Sequence, residues 1–157
     1  MTTSRITICV VVGTLLLSGL ASAQDHEKKV KRSDLPAAVE KAVVEQSQGS
    51  TIRGFSQEEE NGKTFYEAEL MTNGHSKDVL IDENGNVVEV EEQVAMDSLS
   101  PSVGAALQSK AGGGKIVKIE SLTKKGKLVA YEAQVRANGR KSEIQVGPQG
   151  ESLAHEE

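Results

Sequence analysis

Apolar residues follow a helical spacing early in the chain and then switch to strand-like alternation. Leu35, Val39, Ala42, Val43 and Gln46 make one largely apolar stripe, which predicts an amphipathic helix. Ser33 or Asp34 is placed to accept a hydrogen bond from its first amides. Pro36 fits the opening turn, where its missing N–H leaves nothing unpaired, and Gly49 offers a left-handed stop. Ile52 and Phe55 then suggest a first short strand. In "TFYEAELMT" Tyr66, Ala68 and Leu70 alternate with Glu67, Glu69 and Met71, sending the two sets to opposite faces of a strand. Asn73-Gly74 predicts a tight hairpin, because both central residues of a type I′ turn need positive φ. The return strand carries Val79 and Ile81, and after the turn at "DENGN" a fourth short strand holds Val87, Val88 and Val90.

The same pattern is written twice. Tyr66, Glu67 and Ala68 match Tyr131, Glu132 and Ala133; Asn73-Gly74 matches Asn138-Gly139, and Gly85 matches Gly150, all at an offset of 65. Upstream the offset is 64, pairing Leu35, Val39 and Val43 with Leu99, Val103 and Leu107, and Ile52 with Ile116. One inserted residue near Val129–Ala130 absorbs the difference. The second helix has Ser100 and Pro101 at its start, and "AGGG", residues 111–114, at its end. Its return strand holds Ile144 and Val146, and only Leu153 is clearly apolar after Gly150. The expected fold class is α+β: two tandem repeats, each one helix packed on a three- to four-stranded antiparallel sheet. A unit of this size buries only about 60% of its unfolded surface, so sharing a sheet or core would help both copies. The expected boundaries are 33–92 and 98–155, joined by a connector from Glu91 to Ser98 and preceded by a charged flexible arm at 24–32.

The motif G-K-x-x-Y-E followed by a glycine and then "VLIDENGNVV" resembles the PepSY and PepSY-like domains of exported bacterial proteins. Gly62, Lys63, Tyr66, Glu67 and Gly74 carry it, then Val79, Ile81, Asp82, Gly85 and Val87. The second copy keeps Gly126, Lys127, Tyr131, Glu132, Gly139 and Gly150, with Gly147 in place of Asp82. The resemblance implies a helix on an antiparallel sheet and roles in inhibiting or chaperoning peptidases. A tandem pair is similar to beta-lactamase inhibitory protein, whose paired units form a long concave sheet. No inhibitory residue of that family maps onto this chain.

The first 23 residues read as a secretory signal peptide: Arg5, an apolar run from Ile6 to Leu20, then Ala21-Ser22-Ala23. The run is shorter than the ~20 residues a membrane-spanning helix needs. Its removal takes away Cys9, so no disulfide supports the mature fold. An exported chain is expected, periplasmic or extracellular and without a stable membrane anchor. Arg5 is the leader's one charged residue, so the net charge of −5 becomes −6, which argues against nucleic acid as a partner.

Candidate chemistry is sparse. "DENGN" fails as a calcium loop, since counting from Asp82 puts Gly85 at position 4 and Gln93 at position 12, where an EF-hand needs glycine at 6 and glutamate at 12. His26, His75 and His155 lack the close spacing of a zinc site. No serine lies in a nucleophile elbow, and "AGGGK" follows a helix where a phosphate loop precedes one. No catalytic residue, cofactor or metal is assigned. The acidic run Glu58-Glu59-Glu60 reads as a solvated loop, and Lys124-Lys125-Gly126-Lys127 takes its place in the second copy with opposite charge. Phe65, Glu67, Glu69, Met71 and Leu80 share the face opposite Tyr66, Ala68 and Leu70, and form the candidate interaction patch. The equivalent face of the second copy, with Glu132, Gln134, Arg136, Glu143 and Gln145, reads as wholly polar. The sequence thus predicts a non-enzymatic exported binding module, a peptidase inhibitor or modulator whose partner is another exported or envelope protein. The alternative is a small-ligand or divalent-cation sensor using the acidic loops.

Overall fold

A computed structural model describes residues 27–155 and 157, so the signal peptide predicted at 1–23 lies outside the described residues. The strands are β1 (Lys28–Lys29), β2 (Thr51–Glu60), β3 (Lys63–Thr72), β4 (His75–Asp82), β5 (Val87–Gln93), β6 (Lys115–Lys124), β7 (Lys127–Ala137) and β8 (Arg140–Val146). Two helices, α1 (Ala37–Gln46) and α2 (Pro101–Ala111), precede β2 and β6. Neither is long and apolar enough to cross a membrane.

The strands form one antiparallel sheet in sequence order, β1 to β8. This corrects the expected α+β pair of repeats, each a helix on its own three- to four-stranded sheet. Residues 89–93 of β5 pair with residues 120–124 of β6, and Val94 N–H continues the ladder to Ile119 C=O at 2.9 Å. Separate sheets would have left those two strands with unpaired backbone groups. Glu91, expected in a connector, is therefore in the middle of the sheet.

Tight turns set the register. Asn61-Gly62, Asn73-Gly74, Lys125-Gly126 and Asn138-Gly139 all have positive φ at both positions, as type I′ hairpins require. The pairing skips Val129, since Leu122 faces Ala130 and Thr123 faces Leu128. That bulge falls where the sequence offset changes from 64 to 65. Arg53 and Val117 are skipped in the same way.

Both helices lie on one face. Val39, Ala42 and Val43 of α1 pack on Phe55, Ala68, Leu70, Val79 and Ile81; Val103 and Leu107 of α2 pack on Ile119, Ala133 and Val146. Each valine, leucine, isoleucine or phenylalanine among them contributes roughly 1.5–3 kcal/mol when fully buried. Ser100 caps α2 by accepting from Val103 N–H, and Gly112 closes it in the left-handed region. The expected cap of α1 is not formed: Pro36 holds the N-cap position, and Ser33 and Asp34 belong to a preceding 3-10 turn.

Two further expectations change. Lys28 and Lys29, assigned to a flexible arm, pair with Gln57 and Ser56 at the sheet edge, where Val30 packs on the core and Arg32 grips Glu40 through two nitrogens. Glu58 to Glu60 continue β2 instead of forming a loop, and pair with Phe65, Thr64 and Lys63.

Candidate functional site: the helix-free face of the sheet

Directly paired residues in an antiparallel sheet share a face, so the register sorts every strand position. Glu67 pairs with Leu80, Glu69 with Asp78, and Phe65 with Asp82; Met71 pairs with Ser76 two positions further on. All five residues of the predicted patch therefore lie together on the face without helices, each half-buried. The face continues through Glu89 and Glu91 of β5, Lys118, Glu120 and Leu122 of β6, Glu132 and Gln134 of β7, and Glu143 and Gln145 of β8. It is not wholly polar on the β6–β8 side, because Leu122 and Ala130 are buried there.

Most of its carboxylates are engaged. Ser56 donates to Glu67 at 3.0 Å, Lys29 bonds Glu69, and Lys124 lies 3.7 Å from Glu89. Gln145 donates to Glu132 at 2.8 Å, and Lys118 Nζ stands 2.5 Å from Glu120 Oε1. That oxygen is sealed from solvent and accepts no directed hydrogen bond, so the ammonium approaches it off the favourable direction and the contact is an ion pair only. Among the described residues, the side chains of Asp78 and Glu91 have neither hydrogen bond nor ion pair. Their carboxylates meet that of Glu120, with one oxygen from each all within 4.8 Å of one another. Among the described residues this is the one group of three acidic, histidine or cysteine side chains so close.

The electrostatics follow from that crowding. Burial, then the charge of Glu67, pushes the Asp78 carboxyl up to about 7, against a smaller opposing pull from Lys118. Burial, then the charges of Glu120 and Glu132, pushes Glu91 up to about 9. Glu67 and Glu89 are raised by burial too, with Ser56 and Lys124 respectively working the other way. Asp82 goes down, because Asn86 and the amide of Asn84 donate to it. Its oxygens serve the "DENGN" turn, at 2.9 Å from the Asn84 and Asn86 amides.

Sequence reasoning missed Asp78, Glu91 and Glu120. Alternation with Val79, Val90 and Ile119 would have put each on the polar face of its strand. Nothing local joins β5 to β6, however, so their convergence was not visible. Of the histidines, His75 and His155 are exposed and belong to no such group; His26 lies outside the described residues.

No protein-family model matches the chain, and no curated protein matches it in sequence. Solved structures do match in fold. A BLIP-like protein from Bacteroides fragilis is 22% identical, with a TM-score of 0.56 over 78% of this chain and 85% of that one. A DUF2874 family protein from Bacteroides uniformis is 22% identical, with a TM-score of 0.59 over 74% of this chain and 84% of that one. A protein proposed to be periplasmic, from Bacteroides eggerthii, is 18% identical, with a TM-score of 0.61 over 74% and 84%. These likenesses support the BLIP-like arrangement, while the PepSY resemblance rests on the sequence motif alone; at this identity what the chain shares with its neighbours is the fold.

Proposed function

We propose that this chain is an exported, non-enzymatic binding module that engages another exported protein through the helix-free face of its sheet. One observation carries the proposal: Phe65, Glu67, Glu69, Met71 and Leu80 stand side by side on that face, half-exposed and mixing apolar with charged groups. Phenylalanine and methionine are among the side chains enriched at the core of protein interfaces, with polar groups at the rim. The leader-like first 23 residues and a fold neighbour proposed to be periplasmic favour a location outside the cytoplasm. The BLIP-like neighbour favours an inhibitory or modulating role, and the PepSY-like motif of the sequence directs that role toward a peptidase. The cation-sensing alternative loses support at the loops, since Asp82 is used within its own turn and Glu58 to Glu60 are in a strand.

The test is retention of a partner from envelope extract on immobilised protein. Met71→Glu combined with Leu80→Glu should reduce retention about tenfold or more, the scale of losing a small hot spot. Undiminished retention would remove the face from the account.

A further inference from the structure

On this binding role we build a statement of the partner's chemistry. We infer that the segment received by the helix-free face is basic, and that one of its lysine or arginine side chains seats between Asp78 and Glu91 against Glu120. Three adjacent strands bring these carboxylates within 4.8 Å of one another. Among the described residues the side chains of Asp78 and Glu91 are the members without partners, and Glu120, only 5% exposed, has an oxygen that accepts no directed hydrogen bond. Of the cations on this face, Lys29 is committed to Glu69 and Glu27 and Lys124 to Glu89, while Arg136, Lys115 and Lys141 lie beyond Gln134 and Lys118, toward the far end of β6–β8. Lys118 touches Glu120, which shows that an ammonium fits against this group and leaves the other two carboxylates for a second cation.

Charge complementarity selects a peptide over a lone metal ion. Leu80 neighbours Asp78 on the same face, with Phe65 and Met71 further along β3. Those apolar surfaces suit the methylene stem of a lysine or arginine and the residues beside it. Acidic groups continue outward to Glu67 and Glu69 on β3, Glu89 on β5 and Glu132 on β7, a span wider than a single ion covers. A cation placed between Asp78 and Glu91 supplies the counter-charge that burial withholds from them and displaces their protons. Binding should therefore tighten as pH rises through the range where these two carboxyls titrate.

The probe is a short synthetic peptide of alternating lysine and leucine, with its glutamate–leucine counterpart as control, added to the full mature chain. The lysine peptide should bind and the glutamate peptide should not, more tightly at pH 8 than at pH 6 and more weakly as salt rises. Asp78→Asn or Glu91→Gln should weaken binding roughly tenfold or more. Glu45→Gln with Glu83→Gln, the same kind of charge change on α1 and an exposed turn, should leave it unchanged. Equal loss from both sets, or equal binding of both peptides, overturns the inference. So does calcium binding that depends on Glu91 while the lysine peptide does not bind. If the natural partner depends on Met71 and Leu80 but is indifferent to Glu91→Gln, the basic-partner inference falls and the binding face stands; indifference to all of them removes both.

Discussion

Gly85 and Gly150 show how one residue fixes the contact between a turn and a helix. Both have positive φ, +83° and +89°. A Cβ on Gly85 would come 2.5 Å from the carbonyl oxygen of Ala38, and one on Gly150 would come 2.7 Å from that of Ser102. Helix backbone cannot yield as a side-chain end does, so Gly85→Ala combines left-handed strain with a clash. Gly49 provides the comparison, with φ +74° and nothing near its Cβ position. Gly49→Ala should cost about 1 kcal/mol, and Gly85→Ala at least about 2 kcal/mol more, read from urea unfolding midpoints. Equal losses would show that the helix does not sit on the turn. Both glycines were legible as matched positions in the sequence. Their reason was not, because it lies in a helix more than 40 residues upstream in each case.

Among the elements, the hairpins were the most legible part and the sheet's joins the least. Asn-Gly dictates its own turn, and the alternation in β3 and β4 placed the five patch residues on one face before any long-range contact was known. Strand β2 was read too short, because Glu58 to Glu60 look like a loop until β3 pairs with them. The ladder between β5 and β6, which gathers Asp78, Glu91 and Glu120, depends on a contact formed across α2 and has no local signature. That gathering has a consequence for stability. Asp78 and Glu91 hold protons in the folded state above the usual carboxyl range, near 7 and 9, so between about pH 4 and 9 the folded state binds more protons than the unfolded one. Their contribution is fully present below the unfolded values and is lost as pH rises through 7 and then 9. Melting temperature should therefore fall between pH 5 and pH 9, and Glu91→Gln should flatten the decline because glutamine cannot ionise. An unchanged slope in that variant would mean Glu91 is solvated and ordinary.

For the whole molecule, the duplicated pattern announced two helices and their strands but not how they combine. Eight strands share one sheet, and α1 and α2 cover the same side over two apolar clusters. The consequence is a helix-free face running from β1 to β8, on which acidic residues crowd toward the middle. A site-specific photo-crosslinker tests directly whether this face is where the protein works. Placed at Leu80, it should join the chain to a partner in living cells. Placed at Val44, an exposed apolar residue of α1, it should not. Crosslinking from Val44 with none from Leu80 would put the interaction on the helices and contradict the account.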